Sequence, residues 1–209
     1  VANLEHAVEA DRLFYRYSAD REPALNGVSF KLEAGQILAV VGPNAGGKTT
    51  LLETLAGLHA PQNGRVLVGG RDIRQFDPAD YRAWIGYLPQ RMVGLPTTLR
   101  QSMQLRRPAS ADFEITAALA RVAGPSWWTL FNADSAEAAL DARITPWRDD
   151  LPALRGRFVA RLAAAILGEP RLIILDDPLG DKDPALDPYL MRLLDSLRES
   201  STVILATHR

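Results

Sequence analysis

Eight consecutive residues, Gly42-Pro43-Asn44-Ala45-Gly46-Gly47-Lys48-Thr49, bring three kinds of chemistry into one short segment. Glycines let a backbone curl until successive N–H groups point at one anion. A lysine adds a mobile positive charge and a threonine hydroxyl adds a hard oxygen. The pattern G-x-x-x-x-G-K-[ST] describes a loop that cradles phosphates, its lysine reaching the β- and γ-phosphates and its hydroxyl ligating Mg²⁺. Lysine is scarce here: Lys31, Lys48 and Lys182 stand against 21 arginines, so a lysine inside a glycine-rich loop stands out. Gly42, Pro43, Asn44, Ala45, Gly46, Gly47, Lys48, Thr49 and the following Thr50 are the candidate nucleotide-binding residues.

A phosphate loop needs an acid near its metal. Leu172-Ile173-Ile174-Leu175 is an apolar run that ends in Asp176 and Asp177. A buried strand with a carboxylate at its C-terminal end has the form of an open α/β site, where ligands bind beyond the carboxyl ends of the strands. Asp176 is the candidate Mg²⁺ ligand, and Asp177 is placed to position an attacking water.

The elements that must carry these residues follow from hydrophobic patterning. Ile37–Val41 is a continuous apolar run directly before the loop and reads as a strand buried on both faces. From Thr49 to Leu58, apolar residues at 51, 52, 55 and 58 keep a helical period that ends at His59-Ala60-Pro61. Arg12–Tyr17, Val28–Leu32 and Arg65–Val68 read as shorter strands, with Ala24–Gly27 and Glu33–Gly35 as punctuation. Near the end, helical stretches over Phe158–Leu167 and Pro188–Glu199 precede the apolar runs Leu172–Leu175 and Val203–Ala206. Strands alternating with helices predict a parallel sheet. The middle, about Arg91 to Asp150, shows helical patterns over Asp112–Ala123 and Ser135–Ala142 and no strand pattern, and reads as a helical insertion.

Composition narrows the classes further. The 209 residues carry 24 basic and 25 acidic side chains, for a net charge of −1, which argues against general polyanion binding and against a nucleic-acid partner. Cysteine is absent, which removes disulfide scaffolds, thiolate metal sites and cysteine nucleophiles. The longest uncharged run, Ala34 to Gly47, has 14 residues and falls short of the roughly 20 that a bilayer span requires. No basic-then-apolar segment opens the chain.

With the loop and the Asp-bearing strand in hand, the chain resembles the nucleotide-binding domain of ABC transporters over nearly its whole length. That resemblance implies an α/β P-loop NTPase core with a mainly parallel sheet, an N-terminal antiparallel β subdomain and an inserted helical subdomain. It divides the chain into a core at 1–90 and 158–209 and a helical part at 91–157. Tyr87-Leu88-Pro89-Gln90 is similar to the Gln loop, which makes Gln90 the residue that contacts Mg²⁺ and senses the γ-phosphate. Ala206-Thr207-His208 ends the last strand, and His208 resembles the switch histidine, 32 residues after Asp176. Tyr17, 25 residues before Gly42, falls where the family places an aromatic that stacks on adenine, with Tyr15 as the alternative. The stretches Pro23–Phe30, Gly64–Ile73 and Thr97–Arg100 look most like the exporter and type I secretion branches. The cofactors so implied are ATP and Mg²⁺. The implied partners are a transmembrane domain, in the same or another chain, and a second nucleotide-binding domain as homodimer or heterodimer, at the cytoplasmic face of the cell (inner) membrane.

Several positions depart from the family. Leu151-Pro152-Ala153-Leu154-Arg155-Gly156-Arg157 stands where a signature loop close to Leu-Ser-Gly-Gly-Gln is expected, without its serine and paired glycines. Proline removes an N–H there and the alanine and leucine side chains obstruct close approach. Thr145–Asp150, including Trp147, replaces the usual Gly/Glu-rich stretch, and Trp127, Trp128 and Trp147 read as core, with a surface against a membrane-domain partner as the alternative. Asp177 stands where the family has glutamate. Two registers compete for the loop after the acidic strand: a gapless one puts Asp183 in it and a gapped one Asp187, and the gapless one keeps the spacing to His208. The chain stops soon after His208, where family members continue, and so reads as part of a longer polypeptide. Two functions follow as expectations: an exporter's ATP-binding motor with weak hydrolysis, or a catalytically degenerate module that supports a competent partner cassette. A soluble ATPase of nucleic-acid repair or translation fits the charge balance poorly.

Overall fold

The computed structural model of the chain describes residues 8–91, 97–144, 151–179, 184–198 and 200–208. In chain order its elements are β1 (Val8–Tyr15), β2 (Leu25–Leu32), β3 (Ile37–Val41), α1 (Lys48–Leu55), β4 (Asn63–Val68), β5 (Arg71–Asp72), α2 (Pro78–Ala83), β6 (Ile85–Leu88), β7 (Thr97–Thr98), α3 (Leu99–Arg106), α4 (Asp112–Ala123), α5 (Ala136–Leu140), β8 (Arg143–Ile144), α6 (Leu151–Ile166), β9 (Leu172–Asp176), α7 (Asp187–Leu197) and β10 (Thr202–Thr207). The class is α/β, as the resemblance implies. Two compact units share the chain: one comprises 1–90, 170–180 and 197–209, the other 91–169 and 181–196.

The first unit holds both large sheets. One is antiparallel, in the order β2-β1-β4-β5; the other is parallel, in the order β3-β10-β9-β6. Leu51, Leu52 and Leu55 of α1 share a core with Val8, Ala10 and Leu13 of β1, Leu25 of β2, Val66 of β4, Ile174 of β9 and Ile204 of β10. Leu52 and Leu55 lie three apart on the helix, Leu51 and Leu55 four, and Val8 and Ala10 two apart on β1, the spacings that put residues on one face of each element. β1 starts four residues before the predicted Arg12 because its alternation is broken by a bulge. There Arg12 takes φ 49° and donates its N–H to the Ser29 hydroxyl at 2.8 Å.

The parallel sheet corrects one expectation. β9 is buried at every position, whereas β3 alternates exposed and half-buried residues, with Ile37 40% and Val41 65% exposed. An apolar run predicts burial on both faces only for an inner strand, and β3 pairs with β10 alone.

The second unit is helical. α6 packs on α3, α4 and a 3-10 turn at Trp127–Phe131, around Met103, Leu119, Trp127 and Phe158. Three sequence readings change here. The helix predicted over Phe158–Leu167 begins at Leu151, so the signature-like stretch forms its first two turns. Proline is tolerated in a first helical turn, and Ala153, Leu154, Arg155 and Arg157 are good helix formers. Because α6 packs within this unit, the unit's edge falls at 169 rather than 157, and α7 joins it as well. A two-residue ladder, β7 with β8, appears where no strand was expected, too short to show a period. Trp127 is buried and Trp128 half-buried; Trp147 lies outside the described residues.

The inner and edge strands should separate in their response to truncation. Ile204→Ala, at a site with no exposed surface, is expected to cost about 2–5 kcal/mol in urea unfolding. Ile37→Ala is expected to cost less than about 1 kcal/mol. Equal losses would contradict the edge position of β3.

Candidate nucleotide-binding site

The four parallel strands end at the same edge of the sheet, in register. Val41 pairs with Thr207, Ala206 with Asp176, and Leu88 with Leu175. The chain therefore delivers the Gly42 loop from β3, Gln90 from β6, Asp176 and Asp177 from β9 and His208 from β10 to one place.

Gly47 fixes how the loop enters α1. It takes φ 81°, and a Cβ there would lie 2.2 Å from the Ala24 carbonyl oxygen, so only glycine fits. Ala45 also takes a left-handed φ of 61°, a conformation that costs an alanine about 1–2 kcal/mol. Lys48 caps the loop from inside, its Nζ donating to the carbonyls of Gly42 at 2.7 Å and Pro43 at 2.8 Å. The site thus supplies a curled backbone, a helix N-terminus and a lysine, the elements of a phosphate cradle.

Asp176 is 1% exposed. The Thr49 side chain hydrogen-bonds it, while its Oδ2 has no partner among the described residues. Burial, assisted by the Glu53 and Asp177 carboxylates, pushes the Asp176 carboxyl above the usual range, against the opposing pull of Thr49 and Lys48. A buried carboxylate oxygen left without a hydrogen is costly, and a divalent cation is the partner that its charge and its threonine neighbour suit. The residues present therefore fit a divalent cation, which Thr49 and Asp176 could hold.

Asp177 turns the chain sharply after β9, at φ 44°, and donates its N–H to the Ala206 carbonyl at 3.0 Å. Aspartate is among the few side chains that tolerate this region. The turn brings its carboxylate between two other predicted residues. Oδ2 accepts from Gln90 Nε2 at 3.2 Å, and Oδ1 lies 3.2 Å from His208 Nδ1. Gln90 thus reaches Asp177.

Tyr17 lies two residues beyond β1, 54% exposed, with its hydroxyl 3.1 Å from Thr50 Oγ1. Tyr15, the alternative, sits in the β1–β2 ladder opposite Leu25, its hydroxyl 3.4 Å from His59 Nδ1. The sequence reading passed over Glu53 and His59, which pair at 3.0 Å beside this cluster. Nothing in their spacing marks them, since both look like ordinary surface residues of a helix and its following turn. Of the two loop aspartates, Asp183 lies outside the described residues, and Asp187 opens α7 with its Oδ1 buried and without a partner among the described residues. No helix among the described residues is long and apolar enough to cross a membrane.

The profile of a known family, described as ABC transporter, matches residues 25–180. The chain belongs to the ABC transporter family. Within that family it is an ATP-binding domain, 30% identical over its whole length to the multidrug efflux ATP-binding/permease protein of Mycobacterium bovis (strain BCG / Pasteur 1173P2), of which the match covers 17%. It is 30% identical over 93% of its length to the glutathione/L-cysteine transport system ATP-binding/permease protein CydC of Escherichia coli (strain K12), covering 33% of that protein. It is 29% identical over 99% of its length to the cyclolysin secretion/processing ATP-binding protein CyaB of Bordetella pertussis (strain Tohama I), covering 28%. The ABC domain thus spans a third or less of these relatives. Its fold matches a solved bacterial Atm1-family ABC exporter with ATP bound, at a TM-score of 0.82 and 24% identity, over all of this chain and 35% of that one.

The orphaned carboxylate yields a test that needs no nucleotide. The folded state holds Asp176 above its unfolded value, so stability falls as pH rises from the ordinary carboxylate range through that raised value. Asp176→Asn removes the ionisation. In metal-free buffer it is expected to raise the melting temperature by a few degrees at pH 7.5, and the gain should shrink toward pH 4. A lower melting temperature at pH 7.5 would contradict the unpaired state of this carboxylate.

Proposed function

We propose that this ABC domain binds Mg-ATP at the carboxyl ends of its four parallel strands and acts as the ATP-binding part of an exporter. In this reading it sits at the cytoplasmic face of a membrane, coupled to a transmembrane domain and paired with a second nucleotide-binding domain. The observation that carries the reading is the buried, unpartnered Asp176 oxygen beside Thr49 at the foot of the phosphate loop. The exporter names of the relatives support its direction.

The steps follow from the residues. The N–H groups of the 42–49 loop receive the phosphates, and Lys48 Nζ exchanges the Gly42 and Pro43 carbonyls for phosphate oxygens. Thr50 Oγ1 is freed from the Tyr17 hydroxyl as it takes up phosphate, and the Tyr17 ring offers its face to the base. Thr49 and Asp176, with Gln90 nearby, would hold Mg²⁺, which when bound would supply positive charge to the phosphates. Asp177 orients a water toward the γ-phosphorus, and His208 and Gln90 hold Asp177 in place. Water attacks the γ-phosphorus and passes its proton to the Asp177 carboxylate, the bond from phosphorus to the bridging oxygen breaks to leave ADP, and inorganic phosphate departs.

Two features make this turnover slow. Asp177 is one methylene shorter than a glutamate, which withdraws its carboxylate by roughly 1–1.5 Å, and a 1 Å misplacement costs on the order of 100-fold in rate. The signature-like stretch is the start of α6, and its Gly156 is used internally: a Cβ there would meet the Leu130 carbonyl and the Phe131 ring, each at 3.2 Å. That packing favours the second reading, in which the domain binds ATP in support of a competent partner cassette.

Phosphate release by the full chain is expected to be slow and to vanish in Lys48→Ala, which should also weaken Mg-ATP binding by at least about 10-fold. Asp177→Glu is expected to raise turnover by about 10-fold or more. Turnover in the ordinary 1–100 s⁻¹ range of phosphoryl-transfer enzymes, unchanged in Asp177→Glu, would contradict the reading.

A further inference from the structure

The Tyr17 ring is held far more firmly than an exposed side chain ordinarily is. β1 ends at Tyr15, and the next residue is clamped by a side chain rather than by a strand. Gln62 Oε1 accepts from the Arg16 N–H at 2.8 Å, and Gln62 Nε2 donates to the Arg16 carbonyl at 2.7 Å. The Gln62 N–H also donates to the Phe14 carbonyl at 3.0 Å, so one residue makes three hydrogen bonds to two positions of the chain leading to Tyr17.

His59, three residues earlier, holds the ring itself. It stacks on Tyr15 with centroids 4.8 Å apart at 25°. Tyr17 stands nearly perpendicular to both rings, at 5.0 Å and 88° from Tyr15 and at 5.7 Å and 89° from His59. His59 cannot turn freely, because Nε2 donates to Glu53 Oε2 at 3.0 Å while Nδ1 faces the Tyr15 hydroxyl at 3.4 Å. Glu53 belongs to α1, the helix that the phosphate loop opens, and its carbonyl accepts from the N–H of Leu58 at 2.8 Å. The turn after α1 therefore ties Tyr17 to the phosphate loop's own helix.

We propose that His59 and Gln62 are positioning residues that pre-order Tyr17 as the platform for the base. The proposal rests on the stacking role given to Tyr17 above. Ordering a side chain before binding removes a cost otherwise met on binding. This cost belongs to the base alone. Phosphate binding depends on the loop and Lys48, so the two parts of one ligand separate the roles.

The test is calorimetric titration of the full chain with Mg-ATP and with magnesium tripolyphosphate, which lacks the base. His59→Ala and Gln62→Ala are each expected to weaken Mg-ATP about 3- to 10-fold and to leave tripolyphosphate within about twofold of wild type. His59→Phe keeps a ring against Tyr15 and is expected to hold Mg-ATP within about twofold. Equal weakening of both ligands, or a His59→Phe loss as large as that of His59→Ala, overturns the inference. So does wild-type Mg-ATP affinity in both alanine variants when Tyr17→Ala has lost affinity. Full Mg-ATP affinity in Tyr17→Ala instead removes the stacking role, and the inference falls with it.

Discussion

The in-register parallel ladder β3-β10-β9-β6 is the constraint on which the site depends. Each strand ends within a residue or two of its neighbour, so the 42–49 loop, Gln90, the Asp176–Asp177 pair and His208 are delivered to one edge of the sheet. A slip of one residue in β9 would turn Asp176 to the other face of the sheet. Burial prevents that slip, because all five β9 residues are enclosed and any shift would exchange apolar for acidic contacts. The antiparallel sheet and α1 contribute by covering one face of this ladder with a shared core.

Against that rigid frame the site carries strain of its own, as the Arg12 bulge in β1 does elsewhere in the unit. Ala45 and Asp177 lie in left-handed backbone conformations, and Asp176 is buried with an unpaired oxygen. Such features cost stability and persist where surrounding structure over-determines them. Those at the end of the parallel sheet fit the proposed ligand, an anion accompanied by a cation. The same economy explains Gly47, where the Ala24 carbonyl leaves no room for a side chain.

Much of this was legible in the sequence, and the reasons differ by element. The phosphate loop and the Leu172–Asp176 strand announce themselves because function and burial both act on consecutive residues. The Asp112–Ala123 helix appears with the predicted bounds because its apolar period is unbroken. α2 and α3 are short and escape a periodicity reading, although Asp77 before Pro78 and the Thr98–Gln101 capping box are start signals for them. The exposure of β3 was not legible, because an apolar run carries no information on how many neighbours the strand has. Gln90 and His208 enter as candidates only through the resemblance, and their contact with Asp177 is seen only in the structure, since no local pattern joins residues 87 apart in sequence. Tyr15 is legible only as an alternative to Tyr17, and its partners Glu53 and His59 carry no signal, as both look like ordinary solvent-facing residues.

The central claim is that the carboxyl ends of the four parallel strands form one ligand site. Amide hydrogen exchange of the full chain, with and without saturating Mg-ATP, tests it most directly. Protection is expected to rise in residues 42–50, at 176–177 and at 207–208 together, with little change in β2 and β4. Protection confined to another region, or an unchanged 42–50 segment at saturation, would contradict it.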